Sequence, residues 1–281
     1  MPAITLITDF GLADGHVGAM KGVMRSIAPQ AELVDISHHI PPQDVYHAGF
    51  VLLTAYPFWP ADTIHVVVVD PGVGTSRRAV AAQTVRGTFV APDNGVLSYV
   101  LAREALTAAV TLTNPQYWHH PVSPVFHGRD IFGPVAAHLA SGVRLDGLGA
   151  AISGAELVAF AVPEPQYHAD GHITAHIQHI DWFGNCATDL PANMAEAAGA
   201  WRIEVRGRSI AGIRRTFADV PEGMPVALFD STGFVAVAMR NRNAAREMGL
   251  AIGDPVIFWP SAGDRRAQAA PPIAGSSEAA K

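Results

Sequence analysis

Four consecutive valines, Val66, Val67, Val68 and Val69, run without interruption into Asp70-Pro71-Gly72-Val73-Gly74-Thr75-Ser76-Arg77-Arg78. With Ile64 ahead of them they predict a strand covered on both faces, because a half-exposed strand alternates apolar with polar residues. Strands of that kind belong to parallel sheets flanked by helices. Pro71 cannot donate to a ladder and the glycines permit tight turns, so pairing ends there and the backbone can pass close to a ligand. Asp70 then stands at the carboxyl edge of its strand, where open α/β sheets bind their ligands.

Up to about residue 140, short apolar runs alternate with helix-like stretches. Ile4–Thr8 precedes Val17–Ile27, Leu33–Ile36 precedes Val45–Phe58, and Ile64–Val69 is followed by Phe89–Ala91 and Val96–Glu104. The alternation predicts an α/β domain over residues 1–150, a mostly parallel sheet flanked by helices. Its strand ends carry Asp9, Asp35, Asp70 and the triplet Asp93-Asn94-Gly95. One such acid is as often a helix cap or an Asx-turn, but several on one edge suggest a site.

The pattern changes after Gly147–Ala155 and the break at Pro163-Glu164-Pro165. Gly171–Ile180 and Trp201–Arg206 alternate, and Met224–Phe229, Gly233–Ala238 and Asp254–Trp259 follow between turn residues. These predict a smaller, antiparallel β-barrel or sandwich over 168–262, reached through a linker at 151–167. Large apolar residues become scarce from Ser261 onward, so 263–281 reads as a disordered tail.

Composition narrows the function classes. The 281 residues are 49% hydrophobic and 16% charged, as in a globular protein with a sizeable core, and the net charge of −6 argues against a nucleic-acid surface. A small-molecule partner fits better. Cys186 is the single cysteine, which excludes an intrachain disulfide and fits a reducing, cytoplasmic compartment. The start of the chain lacks the pattern of a signal peptide, and no segment approaches the roughly 20 apolar residues of a membrane span. No membrane partner is expected.

Thirteen histidines invite a metal reading. His172, His176 and His179 lie on a predicted strand, however, where residues four apart are roughly 13 Å from each other, and His38-His39 and His119-His120 are adjacent pairs whose side chains diverge. No metal site is assigned. The glycine-rich loop lacks the P-loop lysine, so it is a weak phosphate signal, and Cys186 reads as a small core residue. Phe126-His127-Gly128-Arg129-Asp130 is more specific: Asp130 is placed to cap a helix over Ile131–Leu139, and Arg129 to pair with a neighbouring acid. His127 is the residue with chemical potential there, followed by a glycine that would leave room for a ligand.

Together, Thr8-Asp9-Phe10-Gly11 with Asp14, Val17-Gly18-Ala19-Met20-Lys21-Gly22, Val34-Asp35-Ile36-Ser37-His38, Asp70-Pro71-Gly72-Val73-Gly74-Thr75 with Arg77-Arg78, Pro92-Asp93-Asn94-Gly95, Phe126-His127-Gly128-Arg129-Asp130 and Asp181-Trp182-Phe183-Gly184-Asn185 resemble the S-adenosyl-L-methionine (SAM) hydrolases. These are also called SAM hydroxide adenosyltransferases and are relatives of fluorinating and chlorinating enzymes. The resemblance covers about residues 4–260, and no single motif carries it. It implies that SAM is the substrate and that no cofactor is needed. Water would attack the ribose C5′, giving adenosine and methionine. It also implies a homotrimer whose SAM lies between the α/β domain of one subunit and the β domain of its neighbour.

By the same resemblance Asp70, Arg77 and His127 surround the water, and either Asp70 or His127 is its base, because arginine stays charged. Asp9 would receive the ribose hydroxyls, Asp14 and Asp181 the methionine ammonium, and Asn185 the adenine edge. Phe229, Ser231 and Thr232 would meet adenine or the amino-acid carboxylate. The halogenating relatives depart from the triad at the positions of Asp70 and Arg77, which this chain keeps, and it lacks the extra loop of the fluorinating enzymes. Two alternatives stay open: a SAM-dependent 5′-halogenase, and a SAM- or adenosine-binding sensor with negligible turnover.

Overall fold

The computed structural model describes residues 2–197 and 200–261, and the predicted tail at 263–281 lies outside them. The chain divides into two compact units that meet in sequence at Val162 and Pro163.

The first unit contains β1 (Ile4–Thr8), α1 (His16–Ile27), β2 (Leu33–Ser37), α2 (Val45–Ala55), β3 (Ile64–Val68), β4 (Ala79–Thr84), β5 (Gly87–Pro92), α3 (Ser98–Arg103), β6 (Leu106–Thr111) and α4 (Gly133–Ala140). The sheet order is β2-β1-β3-β5-β4-β6. The strands β2, β1, β3 and β5 are parallel, while β4 runs antiparallel to both β5 and β6. Every residue of β1 and β3 is buried, as the unbroken apolar run requires. The strands β4 and β6 escaped the pattern reading because their centres are alanines, Ala81, Ala82, Ala108 and Ala109, which carry little strand preference.

Helix α1 turns Val17, Met20 and Met24 toward the sheet, the spacing of one helical face, and shares its core with Phe132, Val135 and Ala136. Helix α2 starts at Asp44, whose carboxylate accepts the His47 N–H at 2.9 Å. Gly49 is required there, since a Cβ would lie 3.0 Å from the Val96 carbonyl. Residues 151–160 are laid against this unit: the Val158 N–H donates to Asp93 at 2.8 Å and the Phe160 ring stacks on Tyr46 at 3.9 Å.

The second unit contains β7 (Gln166–Tyr167), β8 (Ile173–Ile180), β9 (Cys186–Pro191), α5 (Ala192–Ala197), β10 (Trp201–Val205), β11 (Arg208–Ala211), β12 (Ile213–Arg214), β13 (Pro225–Phe229), β14 (Phe234–Met239), α6 (Ala244–Met248) and β15 (Pro255–Pro260). The order β11-β10-β15-β8-β9-β14-β13-β12 makes a nearly closed barrel, antiparallel except for β12 beside β13. Alternate residues Ile173, Ala175 and Ile177 point inward with Ile203, Val205, Val237 and Phe258. Cys186 is part of this core, and burial pushes its thiol up to about 12, the inert core role expected of it. Among the described residues no helix is long and apolar enough to cross a membrane.

Candidate active site

Asp70 lies two residues past the end of β3, and the intervening Val69 carbonyl accepts the Asn94 side-chain N–H at 2.9 Å. Pairing thus ends where Pro71 predicts. Successive turns, Val73 N–H to Asp70 O, Thr75 N–H to Gly72 O and Arg77 N–H to Thr75 Oγ1, fold the loop back on itself. That reversal presents Arg77 to Asp70 as a two-pronged pair, Nε to Oδ1 at 3.0 Å and Nη2 to Oδ2 at 2.5 Å. Both side chains are nearly buried, 8% and 6% exposed, and the guanidinium lies over the Phe132 ring. The same Nη2 is 3.0 Å from His127 Nδ1. Two residues on one loop and a third fifty positions later therefore share one guanidinium.

The glycines of this region serve the protein's own packing rather than opening space. Gly74 adopts a left-handed φ of 77°, and a Cβ there would stand 2.5 Å from the Pro124 carbonyl, so the loop presses on the segment leading to His127. The room beside Gly128, expected for a ligand, is filled by Phe10: a Cβ would meet its ring at 3.0 Å. Phe10, His16 and Phe126 form an edge-on aromatic group around this point.

The predicted cap is also corrected. A wide turn over Gly128–Phe132, closed by the Gly133 N–H on the Gly128 carbonyl, stands where the first turn of the predicted helix was expected, and α4 starts only at Gly133. Asp130 sits inside that turn, fully buried, and caps nothing. Its carboxylate accepts Arg129 Nε at 2.6 Å, Arg129 Nη2 at 2.9 Å and the Ser123 N–H at 2.8 Å. Through the Ser123 N–H it ties the loop before His127 to the turn that leads into α4.

Burial lifts the Asp70 carboxyl above its ordinary range, against the pull of the Arg77 charge. Burial and then the Arg77 charge hold His127 below the usual imidazole value, partly offset by Asp70 and Asp130. Arginine has donors only, so His127 Nδ1 must accept from it and a neutral His127 carries its proton on Nε2. The site is thus one cation, one anion and one neutral ring.

The other predicted residues fall into separate groups. Asp9, just beyond β1, accepts the Gln43 N–H at 2.8 Å, and Asp14 is exposed in the loop before α1. In the barrel, Asp181 accepts the Phe183 and Asn185 N–H groups and the Asn185 amide, clasping the β8–β9 hairpin with Trp182 and Phe183 at its exposed tip. Phe229 ends β13, while Ser231 and Thr232 lie in the next turn. Asn185 adjoins Cys186, which pairs with Val237, but the turn adjoins Phe234, which pairs with Pro191. Within the barrel the two groups are therefore separated by the length of β9, about 17 Å at ~3.4 Å per residue.

Sequence reasoning missed several organising residues. Asp230 accepts the Thr232 N–H, the Thr232 hydroxyl and the Phe234 N–H, so it shapes the turn that carries Ser231 and Thr232. Arg78 pairs with Asp93 and donates to the Glu156 carbonyl. Its partners are remote in sequence, and only the adjacency of Arg78 to Arg77 drew attention to it. Among the described residues no group of three His, Cys, Asp or Glu is arranged to hold a metal ion.

Comparison with known proteins covers both units. Residues 4–149 match the family described as SAM hydroxide adenosyltransferase N-terminal domain, and residues 175–257 its C-terminal domain. A (R)-S-adenosyl-L-methionine hydrolase from Salinispora tropica is 42% identical over 255 residues, 90% of this chain and 96% of that protein. A fluorinase from Actinoplanes sp. is 30% identical over 277 residues, 87% of this chain and 92% of its own. A crystal structure of an uncharacterized conserved protein from Thermotoga maritima superposes with a TM-score of 0.84 at 32% identity, covering 91% of this chain and 99% of that one.

Proposed function

This chain belongs to the SAM hydroxide adenosyltransferase family, and from that membership we propose that it hydrolyses SAM by attack of water on the ribose C5′. The oxygen of water bonds to C5′ as the C5′–S bond breaks, and that electron pair returns to sulfur. Methionine leaves as a neutral thioether, adenosine is formed, and one proton from the water must be accepted. The sulfonium is already a good leaving group, so the protein's task is to place the water in line and take its proton.

The observation that carries this reading is the Arg77 guanidinium joining Asp70 and His127. It supports one division of the roles between Asp70 and His127. His127 Nδ1 accepts from Arg77, and protonating it would break that bond and set two cations side by side. Its Nε2–H is a donor that can orient the water oxygen. Asp70 is therefore the proton acceptor: a carboxylate offers about four acceptor directions and Arg77 occupies two. Desolvation makes it a stronger base than an exposed aspartate.

Asp9 is assigned to the ribose diol, Asp14 and Asp181 to the methionine ammonium, and Asn185 to the adenine edge. Phe229, Ser231 and Thr232 are assigned to adenine or the amino-acid carboxylate. The reading includes a homotrimer in which each SAM lies between the α/β unit of one copy and the barrel of a neighbouring copy. Fully separated monomers in sedimentation at working concentration would refute it. A lone buried Cys186 suits a reducing cytoplasm.

Purified protein incubated with SAM in ¹⁸O-labelled water should yield methionine and adenosine bearing the label at the 5′-hydroxyl. Unlabelled adenosine would refute attack at C5′, and a 5′-halo-adenosine from chloride or fluoride would replace hydrolysis with halogenation. A halide in place of water would face the Asp70 carboxylate, which disfavours that outcome. SAM bound but unchanged after prolonged incubation would make the protein a sensor.

A further inference from the structure

Four polar residues that the mechanism does not use run in a line to the edge of the site. Lys21 Nζ on α1 lies 2.6 Å from Asp35 Oδ2 at the end of β2, and Asp35 Oδ1 lies 3.0 Å from His38 Nε2. His38 Nδ1 is 2.8 Å from the Thr8 hydroxyl, and that hydroxyl accepts the Phe10 N–H at 3.2 Å. Thr8 is fully buried and His38 is 3% exposed, while the side chains of Lys21 and Asp35 are partly exposed.

Their donors can run in one consistent direction. Lys21 donates to Asp35, and His38 Nε2 lies 3.0 Å from the same carboxylate without hydrogen-bond alignment; a proton on Nε2 beside that anion leaves Nδ1 as an acceptor for the Thr8 O–H. The Thr8 oxygen is then oriented to receive the Phe10 N–H. Partial burial opposes ionisation of Asp35, but Lys21 and His38 outweigh it and hold that carboxyl below its ordinary value. The buried His38–Thr8 pair is costly to disturb singly, so this end of the line holds one geometry.

That geometry is the backbone of Asp9 and Phe10. The His38 carbonyl accepts the Gly11 N–H at 2.8 Å, closing the loop from its other side. Gln43, held in the left-handed region at φ 65°, directs its N–H to Asp9 Oδ2. The loop carrying Asp9 is thus gripped at residues 8, 9 and 11 by His38 and Gln43, and its Phe10 N–H is held by Thr8.

We propose that Lys21, Asp35, His38 and Thr8 form a positioning relay that fixes the Asp9–Phe10 backbone and thereby sets Asp9 for the ribose hydroxyls of the substrate. This rests on the assignment of Asp9 made above. The relay acts on binding, through Asp9, rather than on the chemical step.

Thr8→Val removes the hydroxyl at nearly constant shape. It should raise KM for SAM about tenfold, the equivalent of one hydrogen bond, with kcat within about threefold. Thr8→Ser should restore both. In an Asp9→Asn background Thr8→Val should add almost nothing further to KM, since the two residues act through one contact. Lys21→Met, at the partly exposed end of the line, gives a second, milder test: a KM increase of about twofold, as for an exposed ion pair. Unchanged KM in both Thr8→Val and Lys21→Met, or full additivity with Asp9→Asn, overturns the relay. If Thr8→Val fails to fold, Lys21→Met alone decides. If the wild type turns over no SAM, the hydrolase reading fails separately, and the relay is read from the dissociation constant of adenosine in the same variants.

Discussion

The triad at the end of β3 and the loops of the barrel solve different problems. Asp70 and Arg77 are almost fully buried and bonded to each other before any ligand arrives. Asp181, Asn185 and Thr232 sit in hairpin turns beside exposed side chains, and their polar atoms mainly shape those turns. A site that must move a proton benefits from a fixed, desolvated geometry. Loops that recognise a ligand need only a stable backbone from which a few contacts can be made. The prediction is that substitutions in the first region change kcat or global stability, and those in the second change binding.

The largest effect is expected from Asp70→Asn. It keeps the shape of the side chain and one contact to Arg77 but removes the proposed proton acceptor. Turnover should fall by about 10²–10⁴, the usual contribution of a general base, while SAM affinity measured by calorimetry stays within a few fold. Asp70→Ala and His127→Ala should likewise retain affinity while losing turnover. An equal loss of affinity and turnover would put Asp70 in ground-state binding and erase the contrast with the barrel.

Next is Asp130→Ala. It removes a fully buried carboxylate that receives three hydrogen bonds and leaves the Ser123 N–H and Arg129 without it. About 3 kcal/mol of stability should be lost in denaturant titration, the upper end for leaving hydrogen-bond donors without their buried acceptor, since the partly exposed Arg129 can turn to water. A loss below about 1 kcal/mol, the scale of a surface pair, would mean that the loop before His127 is held by other contacts.

Much of this contrast was legible in the sequence, and the failures are instructive. Four valines ending in an acid located β3 and Asp70, because burial on both faces leaves no polar positions. The alanine-rich β4 and β6 gave no such signal, yet β4 is the strand that Arg77 and Arg78 lead into. From the sequence, Gly74 is expected to approach a ligand and Gly128 to leave room for one, and in the structure both places are taken by the protein's own packing. A glycine does not say what it approaches, and here the neighbours are Pro124 and Phe10 rather than a ligand. Asp130 was misread as a cap because capping is local, whereas its real partner Ser123 is set by a returning loop. The convergence of Arg77 with His127, and the relay from Lys21 to Thr8, depend on sheet order and could not be counted along the chain.

His65 extends the comparison to pH. It lies in β3 among core residues, 2.8 Å from the Thr5 hydroxyl and stacked on Phe89, and burial lowers its pKa to about 4. The unfolded chain, with an ordinary histidine, takes up this proton near pH 6.5, so unfolding becomes easier as pH falls from about 6.5 to about 4. The full loss is about 3 kcal/mol at ~1.4 kcal/mol per pH unit. It is complete below the folded value. Urea midpoints measured across that range should slope downward toward acid, and His65→Leu should flatten the slope; an unchanged slope would assign it to other groups.

The smallest effect is expected in the barrel, and it tests the comparison from its other side. Asp181→Ala removes three hydrogen bonds, but they lie in a hairpin whose tip is exposed, where water replaces lost partners. Stability should fall by about 1 kcal/mol, the net scale of such bonds. The loop should nevertheless loosen, because Asp181 holds both the Asn185 N–H and its side-chain amide. SAM binding should therefore weaken more than kcat falls. If Asp181→Ala instead lowers kcat as strongly as Asp70→Asn with KM unchanged, the barrel takes part in the chemical step, and the division between a fixed catalytic edge and adaptable binding loops is wrong.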